Sequence, residues 1–331
     1  MEERLRLVLR AQGRGALVKD LDAAAGAVLG DRFQIERLLA AGRQSFVFLA
    51  SDCGVPCVVK LPALDLGRPL SITRADVASG QRALEMEHRL LQACSTRHLP
   101  APVALHFATS PLPAAARVPA ARGKTLVLVE DLVAGQRLSE LALGPWRDLG
   151  APAREDVVRR VAVEFVRFWD ALLDQGFFYG DVSADNILIE PRGRVRVVDG
   201  ASGAPRADMI DLPGFTPAFT TPRLHDLLRA GAPVPGNAAS ILPALAKVLH
   251  FALTRREPLN GQMPDLAGPE LASCSPQSRA ALSAMLDLDR HPEDLPRAQE
   301  ALERWAEAAT GASSCSDDAV PGRSAARTGD H

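Results

Sequence analysis

The spacing of apolar residues changes character along this chain, and each change predicts a different structure. Over residues 1–30, Leu5, Val8, Leu9 and Leu17 recur at helical spacing and predict an N-terminal helical extension that ends at Gly30. Shorter apolar runs broken by Gly, Asp and Pro follow, which is typical of hairpins. The predicted strands span residues 33–40, 46–50 and 55–61.

Longer helical patterns and isolated strands alternate through the rest of the chain. Helices are predicted at 76–93, 155–175, 239–254, 278–286 and 296–309, and strands at 103–108, 125–129, 187–190 and 195–198. Residues 110–123 read as an exposed loop, 200–236 as a Gly- and Pro-rich segment, and 311–331 as a small polar tail.

This order predicts an α+β protein with two lobes. A β-rich N-terminal lobe with one helix, about residues 31–131, precedes a larger α-helical lobe, about residues 132–308. Residues 1–30 form an extension, and 309–331 are expected to be a disordered tail. Ligand clefts tend to lie between lobes, so we expect a site at the seam.

Composition excludes several classes of function. The chain has 331 residues, 47% of them hydrophobic, with a formal net charge of −2 and five Cys. This charge gives no bulk attraction to nucleic acid. An odd number of scattered Cys favours a reducing compartment, and neither a signal peptide nor a membrane span is recognisable. We therefore expect a cytoplasmic protein.

The strongest chemical signal is an acidic loop between the long helix and a short strand. Asp181 and Asn186 stand five apart, and Asp199 follows the next strand. Such a set can orient an acceptor hydroxyl and offer hard oxygen ligands to magnesium. The alternative is that these residues simply form turns.

A second signal is a lysine inside an apolar strand. Lys60 ends a predicted strand, and Glu87 on the next helix could pair with it while the lysine holds phosphates. Taken alone, Lys60 reads equally as a surface residue at the end of a strand. The loop around Gly42 would cover phosphates poorly, because it contains only one glycine.

Taken in order, these elements resemble the Hanks-type (eukaryotic-like) bacterial serine/threonine protein kinases over about residues 31–305. Residues 179–188 align without gaps on H-R-D-L-K-P-x-N-I-L, and Asp199-Gly200-Ala201 falls on D-F-G. Lys60 is similar to the V-A-I-K lysine, Glu87 to its helical partner, and residues 129–132 to the gatekeeper and hinge. Residues 213–217 resemble the end of the activation segment.

The resemblance implies a divergent protein kinase that uses ATP and Mg²⁺ on a protein substrate. It makes Asp181 the base, with Lys60 and Glu87 positioning the phosphates, and Asn186 and Asp199 the metal ligands. The nucleotide contacts that it implies are Leu39, Gly42, Val47, Val58, Lys60, Glu130, Leu132 and Leu188. Nucleic acid is not expected as a partner, and the oligomeric state stays open.

Departures from the family pattern leave two other functions open. Ser183 replaces the lysine expected near the γ-phosphate, and Gly180 replaces the arginine that reads a phosphorylated loop. Gly180 argues against switching by loop phosphorylation. The poor glycine loop, Val58, Ser183, and Gly200 in place of Phe favour a catalytically weak or inactive binding module. The Gly-Asp form of the loop also occurs in small-molecule phosphotransferases.

Finally, Arg223 and Leu295 stand where the family has a buried Glu–Arg pair, so both partners are absent together.

Overall fold

The computed structural model describes residues 15–41, 45–63, 74–94, 96–112, 124–212 and 215–308. Several predictions fall outside these ranges: the first half of the N-terminal extension, the loop with Gly42, most of the 110–123 loop, and the tail after 308.

The N-terminal half is built on a six-stranded antiparallel sheet in the order β1-β2-β3-β4-β6-β5. Its elements are α1 (Gly15–Ala23), β1 (Val28–Leu29), β2 (Phe33–Ala41), β3 (Ser45–Asp52), β4 (Val55–Pro62), α2 (Arg74–Ala93), β5 (Pro102–Thr109) and β6 (Lys124–Asp131). β4 lies between β3 and β6 at the centre of the sheet. Any polar side chain on its covered face must therefore find a partner within the protein.

The C-terminal half is mostly helical, with short strand pairs near the sheet. Its helices are α3 (Leu138–Leu143), α4 (Ala151–Asp174), α5 (Pro222–Arg229), α6 (Ala238–Thr254), α7 (Pro269–Ala272), α8 (Pro276–Asp287) and α9 (Leu295–Glu307). Its strands are β7 (Gln136–Arg137), β8 (Phe177–Tyr179), β9 (Ile187–Ile189), β10 (Val195–Val197), β11 (Gly203–Pro205), β12 (Met209–Ile210) and β13 (Val234–Pro235). The chain is thus mixed α+β, as predicted.

The segments with a clear apolar pattern were predicted correctly, whereas the regular structure in the Gly- and Pro-rich stretch was missed. The predicted strands 33–40, 46–50 and 55–61 are confirmed as β2, β3 and β4. The helical extension expected up to Gly30 is corrected, because α1 ends at Ala23 and β1 pairs with β2. The Gly- and Pro-rich stretch 200–236 was given no regular structure, yet it holds β11, β12, α5 and β13.

Three buried clusters form the core among the described residues, and α2 contributes to two of them. In the sheet cluster, Val18 and Leu21 of α1 pack with residues of β2, β3, β4 and β6. The second cluster fills the helical half around α4, α6 and α8. Leu90 and Leu91 at the end of α2 belong to this second cluster, and Leu84 of α2 forms a small third cluster with two leucines of β6, so α2 is anchored in both halves. Within the described ranges, no helix is both long and apolar enough to cross a membrane.

A polar network fixes the segment that enters α5. Asp289 accepts hydrogen bonds from the Thr221 hydroxyl and, at 3.2 Å, from the Arg223 amide. Lys247, which is buried, donates to the carbonyls of Thr220 at 2.7 Å and Leu259 at 2.9 Å. These bonds hold the segment that leads into α5.

Asp289→Ala should destabilise the protein by about 1–3 kcal/mol, because the Thr221 hydroxyl and the Arg223 amide both lose their acceptor. Urea unfolding measures the change. Asp226→Ala, which removes an exposed carboxylate from α5 itself, is the matched control and should leave the unfolding free energy unchanged. Equal stability of the two variants would show that Asp289 does not hold this segment.

Candidate active site

A cavity of about 300 Å³ lies between the sheet and the helical half. Its lining comprises Leu39, Ala40, Ala41, Ser45, Val47, Val58, Lys60, Glu130, Asp131, Leu132, Val133, Arg137, Asp185, Asn186, Leu188, Val198 and Asp199. Every nucleotide- or metal-binding residue predicted within the described ranges is among them. The volume is at the lower end of the range usual for small-molecule sites.

At the back of this cavity, Lys60 is held between two carboxylates. Its ammonium lies 2.6 Å from Glu87 Oε1 and 2.9 Å from Glu130 Oε1. All three residues are almost fully buried, at 3%, 0% and 2% exposed. The sequence predicted the Glu87 pair, and the structure adds Glu130 as a second acid on the same ammonium.

Strand register explains why Glu130 reaches Lys60. In the antiparallel β4–β6 pair, Val58 stands opposite Glu130 and Lys60 opposite Leu128. Directly opposed residues share a face of the sheet, and so do residues two apart, so Lys60 and Glu130 project on the same side. The sequence interpretation used residue 130 for its backbone in the hinge. It missed the side chain because register is not visible in one sequence.

Burial and charge together perturb the pKa of each member of this cluster. Burial alone would lower the pKa of Lys60, but the charges of Glu130 and Glu87 outweigh burial and raise it, so the ammonium stays protonated. Burial raises the pKa of Glu87 to about 7, against the opposing effect of Lys60. Burial also raises the pKa of Glu130. Asp199 adds a further negative charge nearby, so acids outnumber bases here.

Glu87 also connects α2 to the segment that carries Asp199. The Gly200 amide donates to Glu87 Oε1 at 2.6 Å. A Cβ at Gly200 would lie 3.2 Å from Glu87 Cγ, so a larger residue would crowd this contact. Asp199 itself has a φ of 65°, which is left-handed and strained for a residue with a side chain. The bond to Glu87 helps to hold that conformation.

Asn186 and Asp199 are brought together by backbone pairing. The Val198 amide donates to the Asn186 carbonyl at 2.9 Å, which sets the start of the Asp199 turn beside Asn186. The Asn186 amide nitrogen donates to the Tyr179 hydroxyl at 3.2 Å and to Asp181 Oδ2 at 3.3 Å. Because the side-chain nitrogen of Asn186 donates these hydrogen bonds, its side-chain oxygen can bind a cation.

Tyr179 is a positioning residue that the sequence interpretation used only for alignment. Its buried hydroxyl accepts from Asn186 and donates to the Val198 carbonyl at 3.4 Å. One side chain thus joins the loop that carries Asn186 to the strand that leads to Asp199. It is the single tyrosine of the chain. In the sequence, a single tyrosine next to the acidic loop was the feature that could have indicated this positioning role.

These residues fit a magnesium ion bound with a nucleotide better than a metal held by protein alone. Among the described residues, no group of three or more His, Cys, Asp or Glu is arranged to hold a metal. Magnesium, however, is often held by one or two protein oxygens together with substrate phosphates and water. Two buried carboxylate oxygens, Glu87 Oε2 and Glu130 Oε2, have no hydrogen-bond partner among the described residues. The cluster of Lys60, Glu87 and Glu130 thus carries excess negative charge, which a bound cation would offset.

Asp181 lies next to this set and is itself buried. Burial raises its pKa to about 6, while hydrogen bonding by Thr216 opposes the rise. Asp181 is therefore mostly ionised at pH 7 and able to accept a proton. Asp181, Asn186 and Asp199 meet here as the sequence predicted.

Gly180 packs closely against the side chain of Leu212. A Cβ at this position would lie 2.5 Å and 2.7 Å from the methyl groups of Leu212. A larger residue at position 180 would therefore require the Leu212 side chain to shift.

No family model matches the chain, and a comparison with curated proteins also finds no match. What the chain does must therefore be argued from the arrangement of its own residues.

Glu130→Gln should stabilise the protein at pH 8 by about 1–3 kcal/mol, because it removes one of the excess buried charges while Glu87 still pairs with Lys60. A carboxylate whose folded-state pKa is raised favours folding below its unfolded value, and that contribution is lost as pH rises through the folded value. The advantage of the variant should therefore grow as pH rises above 4.5, and it should be larger at pH 8 than at pH 5.

Urea unfolding at pH 5 and pH 8 measures this difference. Asp131→Asn is the control, since it removes the exposed carboxylate of the next residue. A Glu130→Gln protein less stable than wild type at pH 8 would show that Lys60 needs both acids.

Proposed function

We propose that the chain is an ATP- and Mg²⁺-dependent phosphotransferase with a divergent protein-kinase fold. In this proposal it transfers the γ-phosphate to a hydroxyl of a protein. The observation that carries the proposal is a single cavity that gathers Lys60, Asn186 and Asp199, with Glu87 behind the lysine and Asp181 beside the asparagine. Phosphoryl transfer requires a cation on the phosphates, oxygen ligands for magnesium and a group that orients the acceptor.

The cavity walls suit a nucleotide. Leu39, Val47, Val58 and Leu188 line it and would enclose an adenine ring. The backbone that follows β6, at Asp131 to Val133, would offer hydrogen bonds to the edge of the base. Lys60 would donate to the phosphates from within the cavity.

Asn186 and Asp199 would hold magnesium through their side-chain oxygens. The bound ion would neutralise phosphate charge. Ser45 also lines the cavity, near the loop that follows β2, and its hydroxyl could donate to a phosphate. That role belongs to glycine amides in the kinases that the chain resembles, so we expect nucleotide affinity to depend more on Lys60 and the metal ligands.

Asp181 would accept the proton of the substrate hydroxyl. With a pKa of about 6 it is ionised at neutral pH, so activity should rise as pH increases from 5 to 7. Thr216 lies beside it and would mark where an acceptor hydroxyl approaches. The tether of Thr220 and Thr221 to Lys247 and Asp289 would keep that segment in place for a protein substrate.

A second function is favoured by one contact. Glu130 lies 2.9 Å from Lys60 and would compete with a phosphate for the same ammonium. A nucleotide-binding module with little or no transferase activity would tolerate this competition. Measuring phosphoryl transfer by an Asp181 variant distinguishes the two functions. An enzyme should lose transferase activity when Asp181 is replaced, whereas a binding module has little or no such activity to lose.

Asp181→Asn should keep ATP–Mg²⁺ binding and lose about 100-fold or more of the transferase rate, since proton acceptance contributes on this scale. Transfer of labelled phosphate from ATP to a generic protein mixture measures the rate, and the ATP-induced rise in melting temperature measures binding. Asp174→Asn removes an exposed carboxylate at the end of α4 and should change neither. Equal transfer by wild type and Asp181→Asn would rule out the enzyme and leave the binding module.

Asp199→Asn should abolish the part of the ATP-induced melting shift that depends on Mg²⁺, because one of two protein oxygen ligands becomes a neutral amide. The melting temperature is compared with ATP alone, with ATP and Mg²⁺, and with ATP and EDTA. Asp208→Asn, an exposed residue on the segment after β11, serves as control. If the variant kept the full magnesium-dependent shift, Asp199 would not be a metal ligand.

A further inference from the structure

A second cavity, of about 460 Å³, lies in the helical half and shares no lining residue with the first. It is formed by α4, the turn between β9 and β10, the residues after α2, and the end of α9. Six arginines line it: Arg97, Arg159, Arg160, Arg167, Arg192 and Arg194. The remaining lining residues are Val163, Glu164, Gly193, Val195, Ala306 and Glu307.

The charge balance of this cavity is strongly positive. Six arginines face two glutamates, Glu164 and Glu307, which leaves four positive charges at the lining. The whole chain carries a formal net charge of −2, so this surface stands out against the rest of the protein. Clefts lined by one sign of charge concentrate ligands of the opposite sign.

Internal ion pairs account for four of the six arginines and leave two without an ion pair among the described residues. Glu164 accepts from Arg97 at 2.6 Å and from Arg167 at 2.8 Å. Arg194 pairs with Glu190 at 2.6 Å, outside the lining. By contrast, Arg160 and Arg192 form no ion pair with another described residue.

Arg159 gives the cavity a buried donor. The residue is only 9% exposed, and it pairs with Asp156 through one terminal nitrogen. Its Nε has no hydrogen-bond partner within the described ranges. A buried guanidinium nitrogen without a partner is costly, and Arg159 therefore adds an incompletely paired positive charge to the wall of the cavity.

The chain itself continues from the edge of this cavity. Glu307 lines the cavity, and the described chain ends one residue later at Ala308. Residues 309–322 contain Asp317 and Asp318 and no Lys or Arg, and the next basic residue is Arg323. Asp317 is nine residues past Ala308, which gives a reach of up to about 30 Å, more than the cavity requires.

We propose that this arginine cavity binds residues 313–318 of the chain's own C-terminal tail, Ser-Ser-Cys-Ser-Asp-Asp. The two aspartates supply carboxylates for Arg160 and Arg192, the two lining arginines without an ion pair among the described residues. A covalent connection this short gives the tail a high effective concentration at the cavity, so weak individual ion pairs suffice. The three serines of the segment are sites where an added phosphate would strengthen the contact.

A fluorescent peptide of residues 311–320, titrated into full-length protein and followed by polarisation, tests this proposal. Asp317→Asn/Asp318→Asn protein should bind the peptide more tightly than wild type, because its own tail no longer competes. Arg160→Gln/Arg192→Gln protein should bind it about fivefold or more weakly than Asp317→Asn/Asp318→Asn protein, as expected for two lost surface ion pairs. Binding should weaken as salt is raised.

Matched controls separate this site from general electrostatics. Arg229→Gln/Arg290→Gln removes two exposed arginines outside the cavity and should bind the peptide as wild type does. A peptide with both aspartates changed to asparagine should not bind, and one phosphorylated on Ser316 should bind more tightly. Melting temperatures check that each variant is folded.

Two results would overturn the proposal. One is equal peptide affinity in wild type, the tail variant and the cavity variant. The other is inorganic phosphate binding that depends on Arg160 and Arg192 while neither peptide binds, which would make the cavity a site for small phosphates instead. The test measures binding alone, so it stands or falls separately from the phosphotransferase proposal.

Discussion

The buried ammonium of Lys60 is the group around which the rest of this structure is arranged. A charge almost fully removed from water must be paired, and its two partners come from different parts of the chain. The ion pair with Glu87 holds α2 against the sheet, and the ion pair with Glu130 forms only in the observed register of β4 and β6. Because Glu87 also accepts from the Gly200 amide, the same ion pair fixes the turn that carries Asp199. Loss of Lys60 would leave two buried acids, so this residue is structural as well as chemical.

The acids around Lys60 shape what the cavity can do. A phosphate approaching Lys60 meets Glu130 already bound there, and it must share the ammonium or displace the carboxylate. A magnesium ion held by Asn186 and Asp199 would lower that electrostatic cost, since it places positive charge next to the surplus carboxylates. Nucleotide binding in the proposed function should therefore depend on magnesium more strongly than it would with a neutral residue at position 130.

Sequence reasoning predicted the elements that hydrophobic periodicity defines and missed those that distant polar contacts define. β2, β3, β4, α2 and α6 carry their own apolar patterns, so their existence could be predicted. The segment from 200 to 236 has no such pattern. Its α5 begins where Asp289 accepts from Thr221 and Arg223, more than sixty residues away in sequence. The same distinction applies to the candidate site. The acidic loop is a continuous stretch of sequence and could be predicted, whereas the contact of the Glu130 side chain with Lys60 depends on the pairing of β4 with β6.

Polar contacts without an added phosphate hold the segment that enters α5. Next to Asp181, the Leu212 side chain lies 2.5 Å from where a Cβ at Gly180 would be, so a larger residue there would have to displace it. Asp289 and Lys247 hold the end of that segment through uncharged hydroxyl, amide and carbonyl groups. Order in this region therefore does not require an added phosphate. The arginine cavity beside α9 gathers six basic residues near the point where the tail begins, and there an added phosphate would find charge to pair with.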